Sequence, residues 1–124
     1  MTVSELPPEV QRFLLTSVPS VPFLEAVLLL RAEPQRSWDA GQLARRLYVP
    51  ERAAAELLAQ LGETGITASE GEGVRYAPTA ELGELLDQVA LAYSADLVAV
   101  SSLIHSRLDR RARRFADAFR FRKD

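Results

Sequence analysis

Few residues of this 124-residue chain are of types that carry out chemistry. The sequence contains one histidine, His105, and no cysteine, so it offers no histidine pair, no thiolate nucleophile and no thiolate metal ligand. A nucleophile–histidine–acid triad would depend on His105, which has no nucleophile motif beside it. Glu70 and Glu72 lie in a predicted turn, where they are too exposed to act as general acids. We therefore expect no catalytic residue, no metal site, no cofactor and no enzymatic activity.

The composition is that of an ordinary folded domain. Apolar residues make up 48% and charged residues 26% of the chain, which is long enough to bury a modest core as one domain with an appendage. The longest apolar run, residues 26–30, is much too short to cross a bilayer, and no secretory pattern begins the sequence. We therefore expect a cytoplasmic protein.

Residues 39–77 show the clearest pattern of secondary structure. Leu43 and Leu47 lie four residues apart, which predicts one short amphipathic helix. A second helix follows the tight turn that ends at Pro50, and its buried stripe comprises Ala54, Leu57, Leu58 and Leu61. Gly65 is predicted to end this helix, because glycine tolerates the left-handed conformation found after a helix.

A β-hairpin is predicted directly after the second helix. Residues 66–68 and 74–77 have strand composition and flank a Gly-containing turn at residues 70–73. The order helix, turn, helix, hairpin resembles the winged helix-turn-helix superfamily, in particular its MarR-like bacterial branch. The resemblance implies a mostly α domain with a small β-hairpin wing. In members that bind DNA, the second helix of the motif enters the major groove.

Other segments complete the predicted architecture. A short helix is expected from about residue 8 to 17, and the very apolar residues 22–32 predict a buried central helix. Trp38 lies where, in winged helices, a short strand often pairs with the wing. N-caps are expected at Ser20, Asp39 and Thr79. Residues 84–124 contain no glycine or proline, so a long C-terminal helix follows the winged-helix core. The predicted divisions are a short helix and linker (1–19), the winged-helix core (20–78), a long packing or dimerisation helix (79–104) and a basic amphipathic tail (105–124).

An apolar stripe along the predicted C-terminal helix is the candidate dimer interface. Its residues recur at a spacing of eleven, which indicates a nearly straight helix. The stripe comprises Leu82, Leu86, Val89, Tyr93, Leu97, Val100 and Ile104. Packing on the chain's own core and packing on a second copy both account for it, and we expect a homodimer.

The second helix of the motif leaves two functions open. Candidate DNA contacts are Arg45, Arg46, Arg52, Gln60 and Arg75. The same helix carries a candidate face for a protein partner, formed by Glu51, Ala55, Glu56 and Glu63. Carboxylates repel phosphates, whereas a small face edged by carboxylates suits a basic protein surface. We expect a regulatory or adaptor protein that acts mainly through contacts with an unidentified protein; the alternative is a MarR-like DNA-binding transcriptional regulator.

The charge is distributed very unevenly along the chain. The net charge of −2 combines −7 in residues 1–104 with +5 in residues 105–124. The tail places basic side chains around an apolar face, and these residues are Arg107, Arg110, Arg111, Arg113, Arg114, Phe115, Phe119, Arg120 and Arg122. Three partners are open for residues 105–123: a groove in a protein, nucleic-acid phosphate, and an anionic membrane surface. A further alternative is that the tail folds onto the acidic core of its own or a twin subunit.

Overall fold

The computed structural model describes residues 6–106. In chain order the elements are α1 (Pro8–Thr16), α2 (Val21–Ala32), β1 (Ser37–Trp38), α3 (Ala40–Leu47), α4 (Glu51–Glu63), β2 (Thr67–Glu70), β3 (Gly73–Tyr76), α5 (Ala80–Ala95) and α6 (Leu97–Ser106). The helices α2, α3 and α4 form the trihelical core, and the strands form the wing. The predicted fold, mostly α with a winged helix-turn-helix core, is therefore confirmed. The basic tail from Arg107 onward lies outside the described residues.

The wing is an antiparallel sheet with the strand order β1-β3-β2. Trp38 pairs with Val74, so the short strand expected at Trp38 is present and lies beside the wing. The hairpin is tighter than predicted, because β2 and β3 continue to the pair Glu70–Gly73 and leave only two residues in the turn. Gly71 adopts a positive φ of 61° there, which glycine tolerates at little cost.

Three side chains cap helices at the predicted positions. Ser20 accepts a hydrogen bond from the backbone N–H of Phe23 at 3.2 Å and so begins α2. The Asp39 carboxylate accepts from the N–H of Gln42 at 2.8 Å, and the Gln42 side chain accepts from the N–H of Asp39 at 3.1 Å. This reciprocal capping box fixes the start of α3. Thr79 caps α5 in the same way as Ser20 caps α2.

The hydrophobic core lies between the trihelical unit and the N- and C-terminal helices. α2 supplies much of it, as expected for its apolar sequence, and Phe23, Leu24 and Val27 are fully buried. Trp38 is also fully buried, which ties the wing to the core. In the part of the chain that the structure describes, no single helix is long and apolar enough to cross a membrane; the bent pairs α1–α2 and α5–α6 reach that length and composition only when each pair is taken together.

The C-terminal helical region is bent, which corrects the prediction of one helix over residues 79–104. α5 ends at Ala95, and α6 leaves it at an angle of 111°. Asp96 lies between them with φ −152°, and its carboxylate accepts a hydrogen bond from the N–H of Ala99 at 2.9 Å. Asp96 thus caps α6, and an aspartate N-cap interrupts a helix without any glycine or proline.

The apolar stripe predicted as a dimer interface packs chiefly on the chain's own core. Leu86, Val89, Val100 and Ile104 are fully buried within the single chain. Leu82 and Tyr93 are half-buried, and Leu97 is exposed. The four buried residues are therefore not available to a second copy in this arrangement, and the eleven-residue spacing reflects two helices folded onto one core.

Candidate interaction face of the winged helix-turn-helix

The turn between α3 and α4 sets the position of the second motif helix. Tyr48 ends α3 in the left-handed region, with φ 57° and ψ 45°, which is uncommon for a residue other than glycine. The N–H of Val49 then donates to the carbonyl of Ala44 at 3.1 Å, and Pro50 precedes the first residue of α4. α4 buries Ala54, Leu57 and Leu61 against the core, so its opposite side faces solvent.

The solvent side of α4 is small and acidic. All four residues predicted as a partner face, Glu51, Ala55, Glu56 and Glu63, are exposed on it. Ala59 and Gly62 are exposed as well, so Arg52 is the only long side chain that projects between the carboxylates. Arg52 is the only basic residue of α4. The surface, which we call the α4 face, therefore carries a net negative charge and offers few hydrogen-bond donors.

Two of the five candidate DNA contacts, Arg46 and Arg75, form ion pairs within the protein. The Arg46 guanidinium lies 3.5 Å from a carboxylate oxygen of Glu33 and over the Trp38 ring, 5.5 Å from its centroid. Arg36 contacts the other Glu33 oxygen at 3.5 Å and stacks on the same ring at 4.0 Å. Glu33 thus holds two arginines against one indole, an arrangement that combines ion pairing with cation–π attraction. A phosphate would have to compete with these contacts for Arg46.

The wing offers no unpaired basic side chain. Arg75 lies 3.7 Å from Glu70 across the hairpin, measured from its Nε to a carboxylate oxygen. Glu72 stands exposed at the turn. Carboxylates at the tip would meet the phosphates that flank the groove if the wing approached a duplex. Gln60, the remaining polar candidate, is half-buried in a small depression with Thr16 and Phe23.

Arg45 and Arg52 are the candidate contacts that stay available. Both are exposed, and neither forms an ion pair with any residue between 6 and 106. Tyr48 lies between them in the chain and is 94% exposed. These three side chains form the one part of the motif that suits a phosphate backbone. The sequence patterns placed Tyr48 in the turn between the two helices but did not predict the exposure of its side chain, which depends on the tertiary structure.

The pKa values of two tyrosines outside the α4 face lie above the ordinary value. Partial burial raises the pKa of Tyr76 above its ordinary value, and Asp87 adds to the rise while Arg31 opposes it. Partial burial also raises the pKa of Tyr93, with a further contribution from Glu25. Among residues 6–106, no three His, Cys, Asp or Glu side chains are grouped so that they would hold a metal ion.

The fold is shared with a solved MarR family protein. A crystal structure of a MarR family protein of Mycobacterium tuberculosis matches with a TM-score of 0.52 and 20% sequence identity, over 98% of this chain and 87% of that chain. No protein-family model and no curated protein matches the sequence. The predicted resemblance to the MarR-like winged helices is confirmed as a likeness of fold. Because one fold serves many functions, the chemistry of the α4 face determines what it can bind.

Proposed function

We propose that this chain is a non-catalytic winged-helix regulatory protein whose α4 face binds a basic surface of another protein. The observation that supports the proposal is the composition of that face, on which Glu51, Glu56 and Glu63 surround small side chains and Arg52 is the only base. Alanines at Ala55 and Ala59 allow the backbone of a partner helix or strand to approach closely. The carboxylates supply complementarity to lysine or arginine, which governs specificity and association rate.

The contacts of the arginines support protein binding over DNA binding. Affinity for a duplex depends largely on the number of phosphates that Lys and Arg neutralise. A phosphate would compete with Glu33 for Arg46 and with Glu70 for Arg75, whereas Arg45 and Arg52 have no such competitor on the described motif. The alanines of α4 lack the bidentate donors that read base edges. The helix that would enter the groove thus contributes more repulsion than attraction.

Charge reversal on α4 tests the proposal. The full chain with Glu56→Lys is compared with the wild type in affinity capture from a lysate of the source organism, with bound proteins identified by mass spectrometry. Reversal places like charges opposite each other, so the partner should be recovered at least about tenfold less. Glu25→Lys is the matched control, because Glu25 is an exposed glutamate within a helix away from the motif. Equal recovery with the wild type and Glu56→Lys would show that the α4 face is not the interface.

DNA binding is the second candidate function, favoured by the unpaired Arg45 and Arg52 beside the exposed Tyr48. These side chains would contact the phosphate backbone and position the motif without reading bases. The substitution pair Arg45→Ala and Arg52→Ala tests it in a duplex-binding assay. If the motif contacts DNA, removing both charges weakens binding by about tenfold or more and reduces its salt dependence.

We also propose that the chain forms a homodimer through the bend between α5 and α6. Leu91, Leu97 and Val98 flank this bend and are 72%, 52% and 71% exposed. All three lie within eight residues of the chain, and groups of exposed apolar residues mark contact surfaces more often than single ones do. Sedimentation velocity of the full chain should give a dimer that Leu91→Ser with Val98→Ser converts to a monomer. A wild-type monomer at micromolar concentration would refute this assignment.

A further inference from the structure

A groove between α1 and the first half of α5 shares no residue with the α4 face. Its volume is about 600 Å³. Leu82 and Leu85 are half-buried in its lining and supply an apolar surface. Glu9, Glu81 and Glu84 line it as well, and all three are exposed. None of these carboxylates forms an ion pair or a side-chain hydrogen bond in the part of the chain that the structure describes.

The lining defines the chemistry of an occupant. An apolar surface bordered by three carboxylates suits a segment in which aromatic or aliphatic side chains alternate with cations. Apolar contacts would cover Leu82 and Leu85, and the cations would neutralise Glu9, Glu81 and Glu84. A nucleic acid or an anionic membrane has the wrong charge for this groove.

The chain itself carries a segment of this chemistry at its C-terminus. Residues 107–123 contain seven arginines and one lysine, together with three phenylalanines, and only two acids. We propose that this segment docks into the groove of its own chain, with phenylalanines against Leu82 and Leu85 and arginines against the three glutamates. The inference does not depend on the function proposed for the α4 face.

The path of α5 and α6 brings the segment within reach of the groove. Glu84 lies about 17 Å from the end of α5 at Ala95, at the helical rise of about 1.5 Å per residue. The helix α6 is about 15 Å long by the same measure and turns back through 111°. Its end therefore lies roughly 20 Å from the groove. A chain of seventeen residues can reach more than about 50 Å when extended, so the length from residue 107 to residue 123 is sufficient for docking without rearrangement of the core.

Docking within one chain makes the tail's availability depend on salt. Tethering supplies an effective concentration in the millimolar range, so weak contacts are sufficient. The contacts are exposed ion pairs that salt screens, and raised ionic strength should release the tail. While docked, the arginines are withheld from other polyanions. The groove thus regulates the most basic segment of the chain.

Limited digestion of the full chain with trypsin tests the proposal, because trypsin cuts after the basic residues of the tail. The rate at which tail fragments appear is followed by mass spectrometry. We compare the wild type with a groove variant that carries Glu9→Gln, Glu81→Gln and Glu84→Gln. At low salt the wild-type tail should be cut about tenfold more slowly than the variant tail, as expected for the loss of three exposed ion pairs. In high salt the two rates should converge.

The control is a variant that loses the same charge from the α4 face, through Glu51→Gln, Glu56→Gln and Glu63→Gln. Its tail should be protected as well as the wild-type tail. Thermal melting of each variant checks that all are folded. Protection that rises with protein concentration would overturn docking within one chain and assign the groove to the tail of a second copy. Equal cleavage of the wild type and the groove variant, or equal loss of protection in the α4 variant, would also overturn the proposal.

Discussion

Gly73 is a position where the wing tolerates no side chain. A Cβ placed there would lie 2.5 Å from the carbonyl oxygen of Trp38 and 2.8 Å from the Oγ of Ser37. The carbonyl oxygen belongs to the backbone of β1, so it moves only if β1 separates from β3. Overpacking of this kind costs about 1–3 kcal/mol. Gly73→Ala should therefore lower the free energy of unfolding by about 2 kcal/mol, which corresponds to about 8 °C in Tm for a domain of this size.

Urea unfolding followed by the fluorescence of Trp38, the one tryptophan in the chain, measures this effect beside the substituted residue. Gly62→Ala is the control, because a Cβ there meets only the Thr67 hydroxyl at 3.8 Å, an ordinary contact. Gly62 lies within α4, so alanine should stabilise the protein by about 0.5 kcal/mol. The close approach of β1 and β3 would be refuted if Gly73→Ala were as stable as the wild type.

Three further experiments test the cap of α3, the burial of Tyr76 and the ion pair between α2 and α5. Asp39→Ala removes the capping box with Gln42 and should cost about 1 kcal/mol in urea unfolding, whereas Asp39→Asn should retain most of the stability. Burial raises the pKa of Tyr76 above 10.0, so the folded state favours the protonated phenol. This preference contributes its full stabilisation below pH 10.0, and the stabilisation is lost as the pH rises through the raised pKa. Tyr76→Phe should therefore weaken the decline of the urea midpoint at high pH, and an unchanged decline would contradict this origin. A double-mutant cycle on Arg31 and Asp87, whose atoms are 2.9 Å apart at the surface, should give less than about 1 kcal/mol; a larger coupling would contradict a screened surface pair.

Much of the fold follows from local sequence signals. The N-caps at Ser20, Asp39 and Thr79 and the helical stripes of α3 and α4 depend on residues close together in sequence. Gly65, with φ 82°, lies after α4 as predicted. These signals agree with one another, and such consistency allows a fold to be inferred without homologues.

The bend at Asp96 shows where local signals conflict. The absence of glycine and proline favoured one long helix, and the eleven-residue spacing favoured a straight one. The Asp96 cap and the burial of Val100 and Ile104 against the core produce the bend instead. Burial of apolar surface on a nearby core outweighs the propensity of a segment to continue as a helix.

The acidity of the α4 face could be predicted from sequence, whereas the contacts of its neighbouring arginines could not. Arg46 meets Glu33 from a different element, thirteen residues away in the chain. Its stacking on Trp38 also requires the register that pairs β1 with β3. Such contacts depend on the assembled tertiary structure. The available arginines of the motif could therefore be identified only after the fold was known.

The affinity of the full chain for duplex DNA tests the assignment of the α4 face most directly. Fluorescence anisotropy of a mixed-sequence duplex, at about 50 and 200 mM salt, compares the wild type with Arg52→Ala. The protein-binding assignment predicts no measurable binding at the higher salt, and at the lower salt it predicts no binding that Arg52→Ala weakens. Binding of the wild type at 200 mM that Arg52→Ala weakens about tenfold would show instead that α4 contacts DNA.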